Sequence, residues 1–107
     1  MNIEINEKIA RYCNMLRYED PKHINDIIWE NPFDRNNTLP SEDLCFDSDW
    51  NWLMYAVKKI EKYNRKNNGP DFIINGNRVI LGKKEFVRIN KFDAILQAVV
   101  TFIDDLR

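Results

Sequence analysis

The sequence predicts an α+β fold, a small antiparallel sheet of three to four strands with three helices packed on it. Two long apolar stripes at helical spacing, at 50–60 and 92–106, flank a Gly-containing hairpin signal at 71–81. A third, shorter stripe opens the chain. Helices with one deep apolar face need something to cover, and a small sheet between them satisfies all three. At 107 residues the chain has the length of a single domain, 1–107. It is 44% hydrophobic and 31% charged, too apolar for disorder and ordinary for a globular protein.

The first helix is predicted over Ile5–Arg17, where Ile5, Ile9, Tyr12, Cys13 and Leu16 share one face, with Asn2 or Asn6 as its cap. The Asp20-Pro21 step disfavours helical geometry at Asp20 and helps to end the element. From about 19 to 47 the chain reads as a long irregular acidic segment holding three of the four prolines. Within it, 23–30 suits a short strand, or a helical turn and a strand, and 31–46 reads as a long loop pinned by Phe33, Leu39, Leu44 and Phe46. Loops of that length are usually functional or mobile.

The second helix is predicted over Ser48–Asn64, capped by Asp47 or Ser48, with Asp49 in its first turn. Trp50, Leu53, Met54, Val57 and Ile60 form its buried face, and Trp52, Tyr55, Ala56 and Tyr63 an aromatic flank. Asn67-Asn68-Gly69-Pro70 stops it. A hairpin follows around Asn75-Gly76, which places Phe72 opposite Val79 and Ile73 opposite Arg78. Gly82-Lys83-Lys84 turns the chain into a third strand, Glu85–Ile89. The last helix starts at Asn90, with Asp93 three residues on, and runs to about Asp105. Asp104 and Asp105 stand at the helix end that disfavours anions, and the sequence explains them only as solubilising groups.

A net charge of −1 conceals an asymmetry. From Glu19 to Asp49, nine acids face two bases, a balance of −7. From Lys58 to Lys91, ten bases face three acids, a balance of +7. Either the two stretches neutralise each other across the fold, or each meets a charged partner. For a partner, the candidate acidic face is Asp26, Glu30, Asp34, Glu42 and Asp43. The candidate basic face is Lys58, Lys62, Arg65, Lys66, Arg78, Lys83, Lys84 and Arg88. Trp29, Phe33, Trp52 and Tyr55 are the aromatic candidates for an interface.

Two segments carry a resemblance. Asp49-Trp50-Asn51-Trp52-Leu53-Met54, followed by Val57, Lys59, Ile60 and Glu61, resembles the W-(D/N)-W-L-M-x-x-V-x-K-I-E helix of small uncharacterised bacteriophage and prophage proteins. Asn90-Lys91-Phe92-Asp93-Ala94, then Ala98-Val99-Val100 and Phe102-Ile103, resembles their closing helix. These proteins are grouped as a phage α-β-α sandwich domain. The resemblance spans roughly the last 60 residues, and the tryptophan motif is its specific part. Tyr55-Ala56 stands where the family often has Pro-Val, and the acidic segment before Trp50 is peculiar to this chain. The resemblance implies phage ancestry and an α+β sandwich, and it transfers no catalytic residue.

No catalytic constellation is legible. His23 is the sole histidine and has no motif around it, so a surface or packing role is expected. Cys13, His23 and Cys45 lack metal-ligand spacing, and Cys13 on an apolar stripe reads as core. Asp47-Ser48-Asp49 with Glu42 and Asp43 would suit a cation, but helix capping already accounts for Asp47 to Asp49. Gly69, Gly76 and Gly82 form no phosphate-cradling loop. No cofactor and no metal are expected. With no basic n-region or apolar run at the start and no membrane span, the expected location is the cytoplasm, with the cysteines reduced.

The expected function is a non-enzymatic, phage-derived inhibitor of a host nucleic-acid-dependent defence system, anti-CRISPR-like. It would bind the effector protein or its guide RNA. Two alternatives stay open. One is a sponge for a cyclic nucleotide immune signal, with Arg78, Arg88 and Lys84 on phosphates and Trp52 or Tyr55 on the base. The other is a small RNA- or DNA-binding regulator. A homodimer through the aromatic flank is also open.

Overall fold

Local capping and apolar periodicity set out the elements, and one shared core joins them. The structure is a computed structural model and describes residues 2–19, 27–34 and 36–106. In order they are α1 (Ile3–Tyr12), β1 (Leu16–Glu19), β2 (Ile27–Glu30), β3 (Thr38–Pro40), a 3₁₀ turn (Ser41–Asp43), α2 (Trp50–Asn67), β4 (Phe72–Asn75), β5 (Arg78–Leu81), β6 (Lys84–Val87) and α3 (Lys91–Asp105). The fold is α+β, as the periodicities predict. The strands form two antiparallel three-stranded sheets, β1-β2-β3 and β4-β5-β6, instead of one.

Helix α1 starts on Asn2, whose side chain accepts from the Ile5 N–H at 3.0 Å. It ends at Tyr12, well before the predicted Arg17, and Leu16 and Arg17 belong to β1. Asn14 explains this. It adopts a left-handed φ of 59°, the Met15 N–H reaches back to the Ala10 carbonyl, and the Asn14 N–H to that of Arg11. This is a Schellman ending with asparagine at the left-handed position. The Met15 carbonyl then accepts from the Glu30 N–H at 2.7 Å, so the same turn launches the first sheet.

The segment read as a long loop over 31–46 holds β3 and the 3₁₀ turn. Leu39 faces Trp29 across the β2–β3 ladder. Asp20, Pro21, Lys22, His23, Asp26 and Arg35 lie outside the described residues. Trp29, expected to be exposed, is wholly buried at the middle of this sheet. Its indole N–H donates to Ser41 Oγ at 2.8 Å, and the Ser41 hydroxyl donates to Glu7 Oε2 at 2.7 Å.

Asp49 caps α2, accepting from the N–H groups of Asn51 and Trp52; neither Asp47 nor Ser48 does so. Asp47 instead joins a buried node with Asn6. The Asn6 amide donates to the Leu44 carbonyl and to Asp47 Oδ1, both at 3.0 Å, and its oxygen accepts from the Asp47 N–H at 3.0 Å. Asp47 Oδ2 accepts from the Asn2 N–H at 2.6 Å. Burial alone would raise the Asp47 carboxyl, but the hydrogen bonds from Asn2 and Asn6 outweigh it and hold it below the ordinary 3.8. A carboxyl so depressed stabilises the fold above 3.8 and loses that contribution as pH falls through the lower folded value. Asp47→Ala is therefore expected to unfold at lower urea than the native chain at about pH 6, with the gap closing in acid. Urea titrations of both proteins across that range check it.

The end of α2 repeats the device of α1, with Asn68 at φ 55° and the Gly69 N–H on the Asn64 carbonyl at 2.8 Å. Asn64 is buried and its amide donates to the Pro70 carbonyl. A Cβ on Gly69 would lie 2.5 Å from Asn64 Oδ1, so any other residue there would have to displace the Asn64 amide that holds the Pro70 carbonyl.

The hairpin loop lies one residue beyond the predicted one, which shifts each cross-strand pairing by two residues. Phe72 pairs with Leu81, Ile74 with Val79 and Asn75 with Arg78. The loop is Gly76-Asn77, with φ positive at Gly76 and not at Asn77, as a type II′ turn requires. Gly82 repeats this between β5 and β6, where Leu81 pairs with Lys84.

Helix α3 is the hub. Asn90 caps it by accepting from the Asp93 N–H at 2.8 Å, as expected. It packs on α1, α2, β5 and β6. Ala94, Ile95, Ala98 and Val99 are fully buried, in one core with Ile9, Trp29, Leu44, Phe46, Leu53, Ile60 and Val79. Asp104 and Asp105, unexplained by the sequence, clip its end to the rest. Lys8 pairs with Asp104 at 2.8 Å, and Lys84 pairs with Asp105. Among the described residues no helix is long and apolar enough to cross a membrane.

Candidate nucleic-acid interface

The buried positions of α2 decide what its other side presents. Leu53, Ala56, Val57, Ile60 and Asn64 recur at three- and four-residue steps and face the core. Positions 55, 58, 59, 62, 65 and 66 follow the same rhythm on the opposite side. They hold Tyr55, Lys58, Lys59, Lys62, Arg65 and Lys66, and all five cations are exposed. Over α2 as a whole, five cations stand against one acid, Glu61. From Tyr55 to Lys66 this stripe runs about 16 Å along the helix. Cations in the last turns suit the helix dipole, which offsets part of the repulsion between neighbours three and four residues apart.

Aromatic side chains gather at the N-terminal end of the stripe. Phe46, fully buried, meets Trp52 edge to face at 5.1 Å between centroids. Trp52 in turn meets Phe33 at 5.6 Å, and Phe33 meets Tyr55 at 6.0 Å. Phe33 keeps 55% of its surface exposed. Lys59 Nζ lies over the Tyr55 ring at 5.4 Å, which joins the aromatic and cationic parts. The 31–37 connection is shaped by its own polar groups. Asn31 Oδ1 accepts from the Phe33 N–H at 2.9 Å, and Asp34 accepts from the Asn36 N–H and the Asn37 amide.

Three of the four predicted aromatic candidates, Phe33, Trp52 and Tyr55, thus meet in one cluster, and Trp29 belongs to the core. Trp50, predicted as core, is instead exposed, beside Phe92 and with Lys91 over its ring.

The predicted basic residues separate into two groups. Lys58, Lys62, Arg65 and Lys66 lie on α2 with no described acidic side chain within ion-pair distance. Arg78, Lys83, Lys84 and Arg88 lie on the second sheet and its turns. There Arg78 pairs with Glu85 at 2.8 Å and Lys84 with Asp105, while Arg88 Nη1 donates to the Val87 carbonyl. Lys83 is exposed in the β5–β6 turn.

Of the acidic candidates, Glu30 ends β2, Asp34 sits in the 31–37 connection, and Glu42 and Asp43 form the 3₁₀ turn; all four are exposed. Asp26 is outside the described residues. Among the described residues three ion pairs form, and none joins the acidic 19–49 stretch to the basic 58–91 stretch. No group of three or more described His, Cys, Asp or Glu residues is placed to hold a metal ion.

No family model, no curated protein and no solved structure matches the sequence. The reading of this surface therefore rests on its own chemistry. Arg88 borders a cleft of about 290 Å³ with Asp93 and Gln97, and Lys84 one of about 230 Å³ with Phe102 and Asp105. Neither is lined by Trp52 or Tyr55, so the groups needed for a cyclic nucleotide do not converge there. The buried Cys13 thiol is pushed up to about 12 by burial and is a poor nucleophile at neutral pH.

The stripe on α2 was legible in the sequence as a run of cations at i, i+3, i+4, i+7 spacing. The neutralisation of Arg78 was not, because it depends on a register that places Glu85 beside it on the outer face of the sheet.

Proposed function

We propose that this chain is a non-enzymatic binding protein that inhibits a host nucleic-acid-dependent defence system, anti-CRISPR-like, by gripping the RNA of its effector. The observation that carries this reading is the outer face of α2. It offers five exposed cations in three turns with no described acid set against them. Such an array attracts a phosphate backbone, gains affinity by releasing the counterions of that backbone, and gains on-rate by steering. The resemblance of the Trp50 and Phe92 helices to phage proteins adds phage ancestry and so an intracellular host target.

The test is co-purification with effector ribonucleoproteins from cells that express them, with and without ribonuclease. The native chain is expected to retain an effector through its RNA. A variant carrying Lys58→Glu, Lys62→Glu and Lys66→Glu, all at exposed positions, is expected to lose it while keeping its thermal unfolding midpoint. Retention of no effector in any condition, or equal retention by the variant, would overturn the proposal.

A further inference from the structure

The exposed aromatic beside the cations goes further than the charge does. Resting on the reading above, we infer that the nucleic acid on this face is single-stranded, with one base stacked on Phe33 and its phosphates following Lys58, Lys62 and Lys66.

Phe33 is held for contact. Its backbone is fixed by Asn31, its ring leans edge to face on Trp52 and Tyr55, and more than half of its surface remains open. A ring already immobilised loses little further entropy when a base stacks on it. Phe46, fully buried beneath Trp52, ties this platform to the core. Along the helix, Lys58, Lys62 and Lys66 repeat every four residues, about 6 Å apart on one line. Stacking rings at one end of a cationic track are what binders of single strands combine, because every base has a π-face and only unpaired bases expose it.

Duplexes fit this face poorly. An α-helix with its side chains is about 10–12 Å across and nearly fills the major groove of B-DNA, about 12 Å wide. Phe33 leans on Trp52 and Tyr55 and adds its ring to the width of the N-terminal half of α2. The major groove of duplex RNA is too narrow to admit side chains for reading.

Fluorescence anisotropy separates the two levels of the reading. Labelled probes of about 12 nucleotides would be a single-stranded RNA, the same strand with abasic sites, and the matching duplex, with poly-glutamate as an acidic control. The single strand is expected to bind about tenfold more tightly than its abasic form or the duplex. Phe33→Ala, and Phe33→Leu, which keeps apolar packing on Trp52, are both expected to remove that advantage and leave abasic binding unchanged. Lys62→Ala is expected to weaken both strands alike. Equal affinity for the base-bearing and abasic strands, or no effect of either Phe33 substitution, would overturn the stacking inference and leave phosphate binding standing. Binding of poly-glutamate and of no nucleic acid would overturn both.

Discussion

Trp29→Ala is expected to remove about 3–5 kcal/mol of stability, the largest loss of any single substitution considered. Two costs combine. The indole is fully buried on the central strand of the first sheet, with Leu39 opposite it on β3, so its removal leaves a large cavity in the core. Its N–H also holds Ser41, which in turn holds Glu7, so a chain of hydrogen bonds from sheet to 3₁₀ turn to α1 is cut at its root. The Arg11 guanidinium, 5.4 Å from the ring centroid, loses its partner as well. A domain of this size is stable by about 5–15 kcal/mol in total, so a large part of the margin goes. The melting midpoint is expected to fall by about 15 °C or more. Trp29→Phe keeps most of the ring and forfeits the N–H bond, and is expected to cost roughly 1–2 kcal/mol. Thermal unfolding followed by circular dichroism checks both, and equal effects would show that packing at Trp29 matters less than its hydrogen bond.

Asn6→Ala is expected to follow at about 3–4 kcal/mol, through hydrogen bonds more than volume. The wholly buried Asn6 side chain satisfies the Leu44 carbonyl, the Asp47 N–H and one Asp47 oxygen at once. Deleting it strands a donor and an acceptor inside the fold, and each such group costs about 1–3 kcal/mol. Asn6→Asp is the sharper probe. It places an acceptor where the amide donates to the Leu44 carbonyl and to Asp47, and opposes one carboxylate with another. Its new carboxyl is expected to be raised by that repulsion, so Asn6→Asp regains stability relative to the native chain as pH falls toward the carboxylate range. Asn6→Ala has no such group and shows no such recovery. Urea denaturation of the three proteins at several pH values distinguishes the cases.

These two residues also mark where sequence reasoning stopped. What depends on neighbours in the chain was legible. The Asn90 cap with Asp93 three residues on, the buried Leu53, Val57 and Ile60 of α2 and Ile95, Val99 and Ile103 of α3, and the glycines of both hairpin turns follow from local rules, whereas Trp50 and Leu106, at the ends of those stripes, are exposed. The hairpin register slipped because Asn75-Gly76 and Gly76-Asn77 are both plausible two-residue loops. Only the positive φ at Gly76 alone selects the second. Helix α1 was drawn too long because Asn14, polar and unremarkable in a helical pattern, sits where asparagine adopts the left-handed turn. Trp29, Asn6 and Asp104 were misread or passed over for one reason. Their partners lie between 12 and 96 residues away along the chain, so no window contains both halves of the interaction.

The candidate interface divides the same way. The cations of α2 sit within one helix, and their common face follows from spacing alone. Phe33 reaches Trp52 across the fold, and the pairing of Lys84 with Asp105 removes a cation that composition had counted as free. The pairing of Arg78 and Lys84 makes what remains open to a partner narrower than the +7 stretch suggested, with its longest run on α2.

The central claim, that the outer cations of α2 neutralise phosphates, is tested most directly by the salt dependence of RNA binding. If Lys58, Lys62, Arg65 and Lys66 each meet one phosphate of a single strand, the plot of log Kobs against log salt has a slope of about −3. Lys62→Ala with Lys66→Ala should bring that slope to about −1.4. A flat plot, or a slope that the double variant leaves unchanged, would contradict the account.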